Sequence, residues 1–147
     1  MARERRIAFD VIKHGTPQEP EAAVQDEVYR IASEALTNAF QHSSASHIVL
    51  EIAHAPEGIT VSVRDNGIGI GAASETPSEK SRHFGLQGMR ERANRIGADL
   101  IIRNHSERGT EVIVNIRRAV ASQRDGRWWH RIWAPEGAWL ERRPPAN

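Results

Sequence analysis

The sequence predicts an α+β domain, a two-layer α/β sandwich in which helices cover one face of a mixed, mostly antiparallel sheet. Two observations support this prediction. Apolar residues recur at helical spacing in two segments and alternate with polar residues in several others, in the order strand, helix, two strands, helix, two strands. Because alternating strands have only one face to bury, we expect the helices on that face and solvent or a partner on the other.

The first elements are a strand, a long helix and a hairpin. Residues 6–12 alternate weakly, and the polar loop that follows holds two prolines. From about Ala23 to His42, apolar residues recur every three or four positions, which predicts a helix. His47 to Asp65 contains two alternating runs separated by the turn APEG, which predicts a hairpin.

A long loop, a second helix and a second hairpin follow. Residues 71–84 are small, charged or proline with hardly any apolar side chain, so we expect a mobile loop. Helical spacing then runs from Leu86 to Ile96, with Gly97 at the position of a C-terminal cap. Two alternating runs around the turn NHSERG predict the second hairpin.

Length and composition restrict the chemistry. At 147 residues the chain is expected to form one domain. Its 20 basic and 19 acidic side chains give a formal charge of +1, which offers no argument for a nucleic-acid or membrane partner. The lack of cysteine excludes disulfides, thiol catalysis and thiolate metal sites. No apolar run approaches the ~20 residues of a membrane helix, so we expect a soluble, cytoplasmic segment.

Three polar residues form one candidate site on the long helix. Glu34, Asn38 and His42 are spaced by four, so their side chains are expected in one column beside the apolar stripe. A solvated helix face would show the same pattern. Small neighbouring residues leave room for a ligand, however, and an amide oxygen beside a carboxylate suits a hard cation such as Mg²⁺.

Two glycine motifs supply the other candidates. VRDNGIGI ends a strand with Asp65 and then places Gly67 and Gly69 in quick succession, which is typical of a tight turn or of a close backbone approach to a ligand. GLQGM places Gly85 and Gly88 at the predicted start of the second helix, where free amide groups would bind an anion. A flexible hinge is the alternative for this second motif.

The order of these motifs resembles that of the GHKL superfamily of ATP-binding domains, which includes sensor histidine kinases, gyrase-type ATPases, chaperones and anti-sigma-factor kinases. The resemblance covers about residues 6–116. YRIASEALTNAFQHS is similar to the N box of histidine kinases that serve NarL-type response regulators. GLQGMRERANRIGADL is similar to their second glycine box and the helix after it, and GLxGMRERA is the most discriminating run.

The resemblance implies that the candidate residues bind ATP together with Mg²⁺. Asp65 would accept a hydrogen bond from the adenine amine, and Thr110 would complete that contact. Gly67 and Gly69 would let the backbone pass close to the base and the sugar. Asn38 would bind Mg²⁺ on the triphosphate.

Further roles follow from the same resemblance. Glu34 matches an acidic residue that acts as general base or orients water. Residues 71–84 correspond to the ATP lid, in which Lys80, Arg82 or His83 would reach a phosphate. The remaining nucleotide-binding positions, including the phosphate cradle, would be His42, Gly85, Leu86 and Gly88.

The implied chemistry is transfer of the γ-phosphoryl group of ATP to a histidine nitrogen. Histidine kinases carry that histidine on a dimerising helical hairpin, and only a few residues precede the first predicted strand here. We therefore expect residues 1–118 to be the catalytic domain alone. It would meet its acceptor in a longer, membrane-anchored sensor or in trans, and would turn ATP over poorly by itself.

The final segment, residues 119–147, has no counterpart in the family pattern and holds all four tryptophans. Trp128, Trp129 and Trp133 are expected to form one face of a short helix that docks on the open sheet face or on a partner. A disordered extension is the alternative.

Two other functions compete with the kinase prediction. An anti-sigma-factor-type serine kinase works without the helical hairpin, but its relatives lack the GLxGMRER run. A non-catalytic interaction module would keep the fold and the nucleotide and would use the tryptophan-rich segment for binding. A gyrase-like ATPase needs additional segments that this length does not accommodate.

Overall fold

The computed structural model describes residues 6–70, 77–104, 108–117 and 127–133. The elements in these ranges are β1 (Ala8–His14), α1 (Ala22–Gln41), β2 (His47–Ala55), β3 (Gly58–Asp65), α2 (Pro77–Arg95), β4 (Asp99–Asn104), β5 (Thr110–Arg117), a 3₁₀ turn (Arg127–Trp129) and the one-turn helix α3 (His130–Trp133). No helix within the described ranges is long and apolar enough to span a membrane.

The strands form one sheet in the order β1-β2-β3-β5-β4. β1 pairs with β2 in parallel, and the other three pairings are antiparallel. Helix α1 connects the two parallel strands, as a parallel pair requires a crossover that is usually helical. The predicted mixed, mostly antiparallel sheet is therefore confirmed.

The core lies between the helices and one face of the sheet. Alternate residues of β2, β3 and β5 point into it and stand in register, with Ile52 beside Val61 and Val61 beside Val114. Helix α1 covers this face with a buried stripe that includes Val28 and Ile31. Its 3.6-residue period produced that stripe, so the predicted two-layer α/β sandwich is confirmed.

The opposite face of the sheet carries many polar side chains together with a few apolar ones, such as the paired Ile101 and Ile113. His47 lies 2.6 Å from the carboxylate of Asp10 across the β1–β2 pair. The Thr60 hydroxyl donates a hydrogen bond to Asn115 at 2.9 Å across the β3–β5 pair. These contacts agree with the one-sided alternation in the sequence.

Helix α2 begins earlier than predicted. Residues 77–84, expected in a mobile loop, form its first half, while residues 71–76 of that expected loop lie outside the described part of the chain. Pro77 at the first helical position explains the start, because this position needs no intrahelical N–H bond and proline already has the helical φ. The segment carries too few apolar residues to show a helical stripe in the sequence.

The end of α2 has the predicted glycine cap. Gly97 adopts a left-handed φ of +64°. Its amide donates to the carbonyl of Asn94 at 3.3 Å, and the amide of Ala98 donates to the carbonyl of Ala93 at 3.0 Å. These two bonds form a Schellman motif, which ends the helix and directs the chain into β4.

The described C-terminal segment packs beside α1 rather than on the open sheet face. Trp128 and Trp129 are buried in the core, and the Trp128 indole donates to the carbonyl of Gln18 at 2.9 Å. Arg131 pairs with Asp26 of α1 at 2.9 Å. Docking on the open sheet face is therefore wrong for these residues. The rest of the predicted extension, residues 119–126 and 134–147, lies outside the described part of the chain.

Candidate functional site

Two polar residues end inward-facing rows of the sheet. On β3 the row Ile59, Val61, Val63 continues to Asp65, because the two-residue period points every second side chain into the core. Asp65 is 6% exposed. Thr110 begins the corresponding row of β5 and is also buried. A carboxylate and a hydroxyl therefore lie side by side under the helices, where β3 ends and β5 begins.

Backbone amides hold the Asp65 carboxylate. Its Oδ1 accepts hydrogen bonds from the amides of Gly67 at 2.9 Å and of Thr110 at 3.4 Å. Burial raises the pKa of Asp65 above its ordinary value of 3.8, and the two amides and the charge of Arg82 oppose that rise in part. The result is a fixed, buried acceptor suited to a ligand that offers an N–H group.

The chain itself requires glycine at positions 67 and 69. A Cβ on Gly67 would lie 2.0 Å from the carbonyl oxygen of Ser43, which also accepts the Ile68 amide at 2.8 Å. Gly69 has a left-handed φ of +78°, and a Cβ there would lie 2.9 Å from the side chain of Asn104. The structure therefore gives an intrachain reason for both glycines, and their approach to a base and sugar stays a prediction.

Asn104 positions the same loop and was not among the residues predicted from the sequence. Its Oδ1 accepts the amide of Ile70 at 2.7 Å, and its Nδ2 donates to the carbonyl of Ile70 at 3.1 Å. An asparagine at the end of a strand is ordinary turn chemistry, so the sequence carries no signal for this long-range contact.

Glu34, Asn38 and His42, the predicted column on α1, lie in three different environments. Steps of four residues rotate by about 40° around a helix, so a column drifts off the buried face. Asn38 lies on that face and is 7% exposed. Glu34 is half-buried and faces α2, while His42 stands just past the end of α1, where its amide donates to the Asn38 carbonyl. The three side chains therefore do not share one pocket, and their roles as ligands stay a prediction.

Asn38, Asp65 and Thr110 line one small enclosed cavity. Leu86 also lines it, and the Arg82 side chain closes it from α2. The cavity volume is about 10 Å³, which is at the lower limit for one water molecule and far too small for a nucleobase. The structure thus brings together four of the predicted nucleotide-binding residues, in a pocket that one side chain closes.

Arg82 is the side chain that closes this cavity. It is 2% exposed and donates to the Gly69 carbonyl at 3.1 Å and to the Thr110 hydroxyl at 3.5 Å. Of the three residues expected to reach a phosphate, Lys80 is exposed and His83 is half-buried. A charged residue in a polar segment is usually solvated, so no feature of the sequence indicates that Arg82 turns inward.

A wider groove of about 530 Å³ runs between α1 and α2. Glu34, Gly85 and Gly88 line it. A Cβ on Gly85 would lie 2.2 Å from the Glu34 carboxylate, whereas a Cβ on Gly88 would meet nothing within 4 Å. Both glycines lie inside α2, so the expected helix start with free amides at this motif is wrong. His42 lines neither this groove nor the Asp65 cavity.

The protein groups near the cavity suit a metal ion that is coordinated mainly by the phosphates of a bound nucleotide and by water. Across the ranges the structure describes, no three His, Cys, Asp or Glu side chains cluster as a metal site. Mg²⁺ on a nucleotide does not need such a cluster, because phosphates and waters supply most of its six ligands. The amide oxygen of Asn38 fits that partial role.

The sequence matches a known family and known relatives. The family model described as histidine kinase-, DNA gyrase B-, and HSP90-like ATPase matches residues 23–120. The chain is 43% identical over 100 residues to the nitrate/nitrite sensor protein NarQ of Escherichia coli K12, covering 67% of this chain and 17% of NarQ. It is 36% identical over 93 residues to the signal transduction histidine-protein kinase/phosphatase DegS of Brevibacillus brevis, covering 63% of this chain and 23% of DegS.

Solved structures show the same fold. The histidine kinase domain of the blue-light activated histidine kinase from Erythrobacter litoralis EL346 aligns with a TM-score of 0.56 at 24% identity, covering 74% of this chain and 54% of that one. The catalytic domain of the histidine kinase ThkA aligns with a TM-score of 0.60 at 16% identity, covering 78% and 80%. The chain spans less than a quarter of NarQ or DegS. It belongs to the family of histidine kinase-, DNA gyrase B- and HSP90-like ATPases and is homologous to the catalytic domains of sensor histidine kinases.

Proposed function

We propose that residues 1–118 are the ATP-binding catalytic domain of a two-component sensor histidine kinase. The domain binds ATP with Mg²⁺ and donates the γ-phosphoryl group to a histidine on a separate dimerisation domain. The observation that supports this most strongly is the buried Asp65 carboxylate at the end of an apolar strand face, beside Asn38 and Thr110. Burying a carboxylate is unfavourable unless its oxygens accept hydrogen bonds, so a ligand that offers an N–H group would stabilise Asp65 further.

Asp65 selects adenine in this proposal. Its carboxylate accepts a hydrogen bond from the exocyclic amine of the base. Guanine presents a carbonyl at the corresponding edge, which would place two acceptors against each other without a proton between them. The Thr110 hydroxyl completes the contact, because a hydroxyl can both donate and accept. Leu86, which lines the same cavity, packs against the base.

The groove between α1 and α2 holds the triphosphate. Asn38, which lines the neighbouring Asp65 cavity, would hold Mg²⁺ through its amide oxygen, and the ion would neutralise phosphate charge. Glu34 acts as general base or orients the attacking group, and the missing side chains of Gly85 and Gly88 permit close approach. Amides inside a helix are already paired, so a phosphate cradle at these glycines requires α2 to begin nearer Gly85. His42 joins the site only through rearrangement at the end of α1.

The proposed partners are a histidine-bearing dimerisation domain and, downstream, a NarL-type response regulator. The dimerisation domain lies in the same longer protein or acts in trans. The domain works in the cytoplasm, where ATP is supplied, and a membrane-anchored sensor would carry it there. Without its acceptor it turns ATP over slowly.

Phosphotransfer tests this proposal. The chain would be incubated with Mg²⁺ and γ-labelled ATP, together with the purified histidine-bearing hairpins of NarQ and DegS. We expect label on a hairpin, dependent on Mg²⁺ and lost in Asn38→Ala, with His47→Ala on the open sheet face as the matched control. Phosphohistidine is labile in acid, so acid-stable label would indicate a serine kinase instead. ATP binding without any transfer would favour the interaction module.

A further inference from the structure

The side chain of Arg82 enters the pocket assigned to adenine. It is the only buried lysine or arginine among the residues that the structure describes. Its two terminal nitrogens donate to the Gly69 carbonyl at 3.1 Å and the Thr110 hydroxyl at 3.5 Å. Its charge also acts on the Asp65 carboxylate, which lines the same cavity. The guanidinium therefore uses the polar groups that a nucleobase would use.

The space permits only one occupant. With Arg82 in place the remaining cavity is about 10 Å³. A planar base that donated a hydrogen bond to Asp65 would overlap the guanidinium, and close-packed interiors do not absorb such a volume. Entry of a base therefore requires the Arg82 side chain, and with it the first half of α2, to move.

We propose that Arg82 is an internal competitor of the nucleotide, which holds the adenine pocket closed in the free domain. The inference rests on the proposed function, because it takes the Asp65 cavity as the base site. The closed contact is weak enough to be displaced. Arg82 Nε is buried with no hydrogen-bond partner among the described residues, and the bond to Thr110 is long at 3.5 Å.

The competition has a measurable size. When only a fraction of molecules has an open pocket, the apparent dissociation constant equals the intrinsic one divided by that fraction. Two charge-assisted hydrogen bonds at imperfect geometry correspond to an open fraction lowered roughly 5- to 100-fold. The association rate constant falls by the same fraction when the pocket opens and closes faster than the ligand binds, and the rate levels off at the opening rate when opening is slower.

Binding of a fluorescent N-methylanthraniloyl ADP with Mg²⁺ tests the inference on the full chain. Equilibrium titration and stopped-flow mixing would compare wild type with Arg82→Ala and Arg82→Gln. The control is Arg90→Ala, an exposed arginine on the same helix. We expect both Arg82 variants to bind roughly 5- to 100-fold more tightly than the wild type and Arg90→Ala, with faster association. Melting curves without nucleotide would establish that each variant folds.

The other outcomes are distinct. Weaker binding by both Arg82 variants, with Arg90→Ala unchanged, would make Arg82 a ligand of the nucleotide and overturn the inference. Equal affinities of the wild type and both Arg82 variants would overturn it as well. If one Arg82 variant does not fold, the affinity of the other decides the question. No saturable binding in any of the proteins would contradict the proposed function itself, and the inference with it.

Discussion

The two ends of the site are built differently. At the Asp65 end, strand amides fix the carboxylate, and Gly67 brings the loop against the Ser43 carbonyl. At the groove end, Gly85 lies against the Glu34 carboxylate and the space beside Gly88 is open. In the proposed function, the Asp65 acceptor is therefore fixed by the chain before any ligand arrives, whereas access of the base and contact with the phosphates both depend on the position of α2.

The largest expected effect tests whether the Asp65 end is preformed. Gly67→Ala places a Cβ 2.0 Å from the Ser43 carbonyl oxygen, so the loop must shift. We expect the free energy of unfolding to fall by about 3 kcal/mol, measured by urea denaturation. Gly88→Ala is the matched control, because its Cβ meets nothing within 4 Å. Unchanged stability in Gly67→Ala would mean that this loop is not tightly packed.

The next effect concerns recognition at the same end. Asp65→Asn keeps an oxygen for the Gly67 amide but replaces part of the acceptor with an NH₂ donor, which opposes the adenine amine. We expect the affinity for Mg-ADP to fall about 10- to 100-fold, in keeping with a lost buried hydrogen bond. Calorimetric titration would measure it, with Asp10→Asn on the open sheet face as control. Equal affinities in all three proteins would remove Asp65 from the site.

At the groove end, Gly88→Ala should have smaller effects, of opposite sign on stability and on nucleotide affinity. Gly88→Ala should raise the free energy of unfolding by about 0.5–1 kcal/mol, because alanine favours a helix interior over glycine. Its methyl group would enter the groove, so the affinity for Mg-ATP should fall about tenfold, or 1.4 kcal/mol. Adenosine, which carries no phosphate, should bind as it does to the wild type. An equal loss for adenosine would place Gly88 beside the base and break the division of the site.

The smallest effect is a pH dependence in the free protein. Burial raises the pKa of Asp65 above 3.8, so the folded state holds this proton more strongly than the unfolded state. The corresponding stability is present below pH 3.8 and is lost as pH rises through the raised pKa. We therefore expect Asp65→Asn to gain stability relative to wild type between pH 4 and pH 7, measured by urea denaturation. A relative loss over that range would contradict the raised pKa.

The sequence predicted burial best in strands, where every second side chain points to the same face of the sheet. Alternation along β3 and β5 places Asp65 and Thr110 on the buried face, and both are found there. Helical phase was less reliable, because a drift of about 40° for every four residues separates Asn38 from Glu34 and His42. Position along a strand therefore predicted which side chains are buried together better than spacing along a helix predicted which side chains share a pocket.

The features that the sequence did not predict depend on distant contacts. Pro77 to Phe84 lacks an apolar stripe, and the inward turn of Arg82 depends on acceptors provided by Gly69 and Thr110. Burial of Trp128 likewise depends on the carbonyl of Gln18, which is remote in the sequence. Contacts between residues far apart in the sequence do not appear in local sequence patterns, so only the structure could reveal that Arg82 closes the pocket.

Titration of the wild-type chain with Mg-ATP and with Mg-GTP, followed by calorimetry, tests the adenine site most directly. A carboxylate held at the base edge predicts saturable binding of one Mg-ATP per chain and affinity for Mg-GTP at least about 100-fold lower, because guanine would leave two acceptors facing each other. Equal binding of the two nucleotides, or no binding of Mg-ATP, would contradict the assignment of Asp65 as the residue that selects adenine.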